Sequence, residues 1–247
     1  MFPVTDNPAE RLLAILTEAK KIEIHHVNEV LAKQFGYNPN DKVSFYRTLG
    51  YLNELLDQVE LRIRQIPGIK HELFLRDIPA IRSVITPGAL QESWPQISQP
   101  LKQGALTCLD FCADALSQNH QEAKIENADI VKIKARISSL YKSISESDLD
   151  PDLKSVVFDL LTTIQTSIDN YKIKGADGLK RSLVYASGLI KLHQDRLRAD
   201  KDKPVLVEVS EFVNNVAIIV TAAYNMKELA VGVGGLLGFS PDPTPNK

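Results

Sequence analysis

The feature that most constrains this chain is a seam of apolar residues spaced four and three apart between positions 45 and 66. Its members are Phe45, Leu49, Leu52, Leu56, Val59, Ile63 and Ile66. Residues at this spacing lie along one side of an α-helix, and the pattern lasts for about three heptads. Because so short a seam is more typical of a bundle core than of a free coiled coil, it predicts a long helix packed among other helices.

Similar spacing recurs along the chain, and helix start signals accompany it. Asn7-Pro8 and Asp150-Pro151 each combine a capping side chain with proline at the first helical position, and Gly36 is a plausible left-handed helix end. No segment shows a convincing alternating strand pattern. We therefore predict an all-α fold, a bundle of about seven to ten antiparallel helices, some of them long with heptad-like seams.

A proline-rich connection, TPGALQESWPQISQP at residues 86–100, suggests how the 247 residues are organised. We predict an N-terminal helical subdomain over 1–85 and a C-terminal helical bundle over 86–239, or one continuous domain. Trp94 is expected to pin the connection to the body of the protein. The tail 240–247 holds three prolines and is predicted to be disordered.

The overall charge bears on the choice of partner. The formal net charge of −2 argues against broad binding to a phosphate backbone. Residues 27–52 resemble a helix-turn-helix, which would imply DNA binding. However, Phe45, Leu49 and Leu52 commit its second helix to a core, and the exposed face is nearly balanced in charge. Nucleic acid is therefore not expected as a partner.

Two cysteines, Cys108 and Cys112, stand one helical turn apart beside Leu109 and Leu116. We predict two core thiols in a reducing compartment, since a zinc site or a disulfide framework needs more partners. The N-terminal MFPVTDNPAERL lacks the basic and apolar regions of a secretory signal, so the cytoplasm is the expected location.

One pair of residues has a metal-ligand spacing. Glu23 and His26 stand three apart, and on a helix this is the Glu-x-x-His arrangement of carboxylate-bridged four-helix metal sites. Such a site needs a second Glu-x-x-His, which His71, His120 and His193 do not supply. The main expectation is therefore that the protein holds neither a metal nor a cofactor, with Glu23 and His26 as the only candidate ligands.

Arg64 and His71 have the Arg-x6-His spacing of the stretch RQIPGIKH. In this spacing the chain resembles helical ribonucleases of the HEPN group. The resemblance covers eight residues and implies RNA cleavage, with Arg64 binding phosphate and His71 acting as a general acid–base. A HEPN-like ribonuclease is therefore one alternative function, and Arg64 and His71 are its candidate catalytic residues.

The last apolar segment, residues 216–239, is long enough to span a bilayer. Lys227 and Glu228 near its middle would each cost about 2.5–3.5 kcal/mol at the bilayer centre, which favours core helices over insertion. Its many small residues suit close helix contact or membrane insertion. A membrane-acting effector that uses 205–239 is a second alternative, with a membrane as partner through 216–239.

The chain contains no phosphate-binding loop, no dinucleotide-binding glycine motif after a strand and no Gly-x-Ser-x-Gly elbow. ATP-driven, nicotinamide-dependent and serine-hydrolase chemistry is therefore not expected. The first expectation is a non-enzymatic helical protein that binds another protein or a second copy of itself, as an adaptor or regulatory subunit. Four apolar residues are the candidate contacts: Trp94, Leu236, Leu237 and Phe239.

Overall fold

The computed structural model describes residues 7–23, 26–120, 122–200 and 203–224. Within these ranges every regular element is a helix, and the one strand-like feature is an isolated bridge between His26 and Ser93. Eight of the described helices have nine or more residues and four are shorter. The predicted all-α, multi-helix architecture is therefore confirmed.

The chain divides into two compact units. Unit 1 comprises Met1–Glu122 with Lys172–Gly175, and unit 2 comprises Ala123–Tyr171 and the chain from Ala176 onward. The sequence-based boundary after residue 85 does not coincide with this division. The physical reason is α7 (Leu106–Asn119), which packs along α1 (Pro8–Lys20) and so joins the N-terminal helices.

Unit 1 holds seven described helices and two short turns. After α1, in chain order, these are α2 (Val27–Phe35), α3 (Lys42–Gln65), α4 (His71–Leu75), α5 (Ile78–Val84), a 3₁₀ turn (Pro87–Gln91), α6 (Trp94–Ile97), a π-helical turn (Leu101–Ala105) and α7.

Helix α3 forms the centre of unit 1. All seven members of its predicted seam are buried, none more than 3% exposed. Asp41 begins the helix by accepting hydrogen bonds from the N–H groups of Val43 and Ser44 at 3.0 and 3.1 Å. Helix α3 contacts α1 and α7, and the side chains of its seam form part of the hydrophobic core of unit 1.

The predicted helix ends agree with the structure. Asn7 caps α1 by accepting a hydrogen bond from the Glu10 N–H at 3.0 Å, and Asp150 caps a helix in unit 2 in the same way. Gly36 ends α2 with φ of 76°, a left-handed conformation that glycine adopts at little cost.

Unit 2 is built from the remaining helices. They are α8 (Asn127–Glu146), α9 (Pro151–Asp169), most of α10 (Tyr171–Leu192), α11 (Gln194–Ala199) and α12 (Pro204–Tyr224). Helix α8 packs on α9 and on α12. Non-helical backbone at Gly175, with φ of 61° and ψ of −165°, interrupts α10, and the four residues Lys172–Gly175 belong to unit 1.

Among the described helices, α12 is long and apolar enough to cross a membrane by length and composition. Its most apolar window has a mean hydropathy of 1.6, and half of that window is buried within the protein. A core helix of a globular protein gives the same signal, and one face of α12 is buried, from Val205 to Val220. The candidate membrane segment continues beyond Tyr224, where it lies outside the described residues.

Candidate functional site

A surface pocket of about 340 Å³ lies between α4 and α7 of unit 1. We call it the α4–α7 pocket, and it is lined by Leu73, Phe74, Arg76, Cys108 and Phe111. Leu73 and Phe111 are 63% and 59% exposed, although both are large apolar residues. Apolar side chains that stay in water beside a concave surface are typical of binding sites.

The register of α7 explains the contents of the pocket. Cys108, Cys112 and Leu116 follow at intervals of four and point inward, whereas Phe111 falls on the exposed face. On the other side, α4 has only five residues and buries none of them fully. A short helix against a long one leaves a concave surface that their side chains only partly fill.

Both thiols bind the same backbone carbonyl. The sulfur atoms of Cys108 and Cys112 lie 2.9 and 3.2 Å from the oxygen of Phe74, near the end of α4. The last carbonyls of a helix lack a partner within that helix, so the two S–H groups supply what the backbone leaves unsatisfied. The predicted burial of both cysteines is confirmed at 5% and 0% exposure, and both are free thiols.

The two thiols differ in acidity. A hydrogen bond from Cys112 lowers the pKa of Cys108 to about 7, and burial opposes this shift. The backbone N–H of Asp77 and the charge of Arg76 also lower the pKa of Cys108, whereas the charge of Asp77 raises it. The same hydrogen bond, followed by burial, raises the pKa of Cys112. Cys108 is therefore the more acidic thiol of the pair, and Cys112 keeps its proton.

Carboxylates outnumber cations on the exposed surface of α4 and α7. Glu72 stands next to Leu73, and Asp110 and Asp114 flank Phe111; all three are exposed. The positive charge of Arg76 is matched by Asp77 in an ion pair of 2.9 Å. The apolar pocket therefore lies beside a surface of net negative charge.

A buried charge cluster elsewhere in unit 1 is structural. Glu122 pairs with Arg11, and its Oε1 lies 2.8 Å from a guanidinium nitrogen of Arg62. Arg11 also donates to the carbonyl of Ile173 at 3.1 Å. The side chains of Arg11 and Glu122 are 4% and 2% exposed, so the cluster joins the inserted segment Lys172–Gly175 to α1 instead of facing solvent.

The candidate catalytic pair is not brought together by any described contact. Arg64 lies on the exposed side of α3, one residue before its end. A ring nitrogen of His71 lies 2.9 Å from the carbonyl of Ile66, which holds the turn between α3 and α4. This contact explains His71 as part of a turn, and ribonuclease chemistry stays a prediction.

The candidate metal pair does not share a helix, which corrects the sequence-based reasoning. Glu23 is exposed and non-helical, and His26 precedes α2 in an extended conformation with φ of −106° and ψ of 140°. The expected helical face therefore does not exist at these positions. Among the described residues, no group of three or more His, Cys, Asp or Glu side chains is placed to hold a metal ion.

Of the four candidate contact residues, Trp94 can be located. Its side chain is 4% exposed and belongs to the hydrophobic core of unit 1. The prediction that it pins the proline-rich connection is confirmed, but the ring is not available as an interaction surface. Leu236, Leu237 and Phe239 lie outside the described residues.

Sequence reasoning missed the α4–α7 pocket. It placed both cysteines on the inner face of a helix, but it gave no reason to pair that helix with α4. Phe111 was the available signal, since it is an aromatic residue outside the apolar stripe of α7. The buried pair of Arg11 and Glu122 was missed as well, and its signal was a charge on the apolar stripe of α1.

Comparisons with known protein families, with curated proteins and with solved structures gave no significant match for this chain. The assignment of function therefore rests on the geometry of the described residues.

Proposed function

We propose that the protein is a non-enzymatic interaction module, an adaptor or regulatory subunit, and that it binds a basic amphipathic segment of another protein through the α4–α7 pocket. One observation carries the proposal: Leu73 and Phe111 are more than half exposed beside a pocket of about 340 Å³. Residues that anchor protein interfaces are commonly large, apolar and next to a pocket that accepts a partner side chain.

The size of the pocket suits one apolar anchor. Ligand pockets span about 300–1,000 Å³, and an apolar cavity of about 150 Å³ already accepts benzene. The α4–α7 pocket, at about 340 Å³, has room for a leucine or aromatic side chain. An amphipathic helix supplies such anchors at helical spacing when it lies in an apolar groove.

The charge around the pocket selects the partner. Exposed Glu72, Asp110 and Asp114 leave the surface of α4 and α7 net negative, and Arg76 is matched by Asp77. A segment with lysine or arginine beside its apolar anchor therefore approaches faster and binds in a preferred register. An acidic segment with the same apolar residues is repelled.

The test uses a fluorescently labelled amphipathic helix of leucine and lysine, with a second peptide in which glutamate replaces every lysine. We expect the basic peptide to raise the anisotropy signal on binding and the acidic peptide to leave it unchanged. Phe111→Ala should raise the Kd about tenfold or more, the loss typical of an interface anchor. Because Phe111 is 59% exposed, the variant should keep its fold, which circular dichroism checks.

The matched control is Val131→Ala, since Val131 is 58% exposed on α8, outside the pocket. This change should leave the Kd unaltered. A basic peptide that binds Phe111→Ala as tightly as the unaltered protein would contradict the proposal. Equal binding of the acidic and basic peptides would contradict the stated charge of the partner.

A second candidate function is a membrane-acting effector, and α12 is the observation that favours it. Half of the most apolar window of α12 is buried, so the other half is available for a second apolar environment. Full-length protein mixed with vesicles of phosphatidylcholine and phosphatidylglycerol should float with them in a density gradient. Protein that stays at the bottom, at neutral and at acidic pH, would rule this function out.

A further inference from the structure

The two sulfur atoms of unit 1 have different surroundings. Cys108 lines the α4–α7 pocket, whereas Cys112 is fully buried one helical turn further along α7. Both lie within hydrogen-bond distance of the Phe74 carbonyl, at 2.9 and 3.2 Å, so one oxygen atom accepts from both thiols. Of the two thiols, Cys108 therefore contacts the pocket, and Cys112 lies behind it in the core.

This arrangement gives the two thiols different roles, with Cys108 as the sulfur that can react and Cys112 as its buried neighbour. The thiolate is the nucleophilic form of cysteine, and it needs hydrogen-bond donors to be stable in a largely buried position. Hydrogen bonds from Cys112 and from the backbone N–H of Asp77 lower the pKa of Cys108, whereas burial and the charge of Asp77 raise it. Cys108 is therefore the sulfur that combines a place in the pocket wall with a lowered pKa.

The walls of the pocket decide what reaches the sulfur. Leu73, Phe74 and Phe111 present hydrocarbon, and the volume of about 340 Å³ admits an alkyl chain of several carbons. Hydrocarbon walls give no binding energy to a polar oxidant. An electrophile with an alkyl tail binds to them, which raises its concentration beside the sulfur. Arg76 lines the same pocket, and its guanidinium is paired with Asp77 at 2.9 Å.

We infer that Cys108 is a covalent modification site for small apolar electrophiles, of the class of α,β-unsaturated aldehydes with an alkyl tail. The Cys108 thiol loses its proton to water, and the sulfur lone pair forms a C–S bond to the β-carbon. The C=C π pair forms a new double bond between the α-carbon and the carbonyl carbon, and the C=O π pair moves to the oxygen as an enolate. Water returns a proton to the α-carbon, the C=O bond re-forms, and the product is a saturated thioether aldehyde. The addition has no leaving group and needs no oxidant. The inference stands on the position of Cys108 in the wall of an apolar pocket and holds with or without a protein partner.

The test treats the full-length, reduced protein with trans-2-nonenal and, separately, with acrolein, which has the same reactive group and no tail. Intact mass and peptide mapping should find one nonenal on Cys108. The nonenal-to-acrolein rate ratio should exceed that of glutathione about tenfold or more, because the alkyl tail is buried only in the pocket. Phe111→Ala should lower this ratio toward that of glutathione, because it removes part of the hydrocarbon wall that holds the alkyl tail.

Three variants separate this inference from ordinary thiol reactivity. Cys108→Ser should abolish the adduct. Cys112→Ala should keep the adduct on Cys108 but move the pH midpoint of its formation upward, because the hydrogen-bond donor is gone. Val131→Ala on the exposed surface of α8 should change nothing.

Three results would overturn the inference. The first is a rate ratio equal to that of glutathione, and the second is an adduct on lysine or histidine with Cys108 unmodified. The third is the loss of two hydrogens without any adduct, because this would show that a disulfide between Cys108 and Cys112 forms in preference. None of these results depends on peptide binding, so the inference and the proposed function fail separately.

Discussion

Replacing Gly175 by alanine is the most demanding test of how unit 1 is assembled. Gly175 has φ of 61° and ψ of −165°, a region open almost only to glycine. A Cβ placed there would lie 2.5 Å from Nη1 and 2.6 Å from Cζ of Arg11, and 2.9 Å from Oε2 of Glu122. The substitution therefore strains the backbone and pushes into the buried ion pair at once.

The size of the effect follows from these two terms. Backbone strain at such a position costs about 1–3 kcal/mol, and overpacking of a filled interior costs about 1–3 kcal/mol more. The guanidinium cannot move aside freely, because Arg11 also donates to the carbonyl of Ile173 and is 4% exposed. We expect the free energy of unfolding of unit 1 to fall by about 2–6 kcal/mol.

Urea unfolding followed by tryptophan fluorescence measures this change. Trp94 is the only tryptophan of the chain and lies in the core of unit 1, so its emission follows that unit. With a slope of about 2 kcal/mol per molar urea, the midpoint should fall by about 1–3 M. Circular dichroism, which follows both units, should then show two separate transitions.

Two glycines of the same unit serve as controls. Gly50 lies within α3 in open space, and Gly50→Ala should stabilise unit 1 by about 0.5–1 kcal/mol. Gly68 has φ of 79° in open space, so Gly68→Ala has the backbone strain without the clash and should cost about 1–2 kcal/mol. If Gly175→Ala costs no more than Gly68→Ala, the tight packing of the ion pair against Gly175 is refuted.

Three further measurements test other parts of the structure. Glu122→Gln should lower the stability of unit 1 by about 3–5 kcal/mol, because it leaves the buried guanidinium of Arg11 without its counter-charge. In the same urea titration, Glu18→Gln on the exposed surface should change the stability by less than about 0.5 kcal/mol. Leu52→Ala in the α3 seam should cost about 2–5 kcal/mol, and Leu61→Ala, 58% exposed on the same helix, should cost less than about 0.5 kcal/mol. Because folding lowers the pKa of Cys108 from 9.0 to about 7, its contribution to stability is present above pH 9 and is lost as the pH falls through 7. Urea midpoints of the reduced protein should therefore rise between pH 7 and 9, and Cys108→Ser should remove this rise.

Much of the helical architecture could be predicted because its signals are local. The α3 seam, the caps at Asn7 and Asp150 and the left-handed end at Gly36 depend on residues within about one turn of each other. The inward placement of Cys108 and Cys112 followed from the same periodicity. The start of α2 at Val27 did not follow from the pattern, and it leaves Glu23 and His26 without a shared helical face.

The candidate site depends on distances along the chain that no local pattern spans. Cys108 meets the carbonyl of Phe74 across 34 residues, and Arg11 meets Glu122 across 111. Helical periodicity says which face of a helix is buried, but not which other helix covers that face.

The sequence by itself determined that this chain forms helices, which residues begin and end several of them, and which side of each avoids water. Tertiary structure alone decided that α4 meets α7, that one of two neighbouring thiols faces a pocket, and that Lys172–Gly175 closes over a buried ion pair. The reason is physical: helix formation and capping act over a few residues, whereas pockets and buried charges exist only where distant faces pack together.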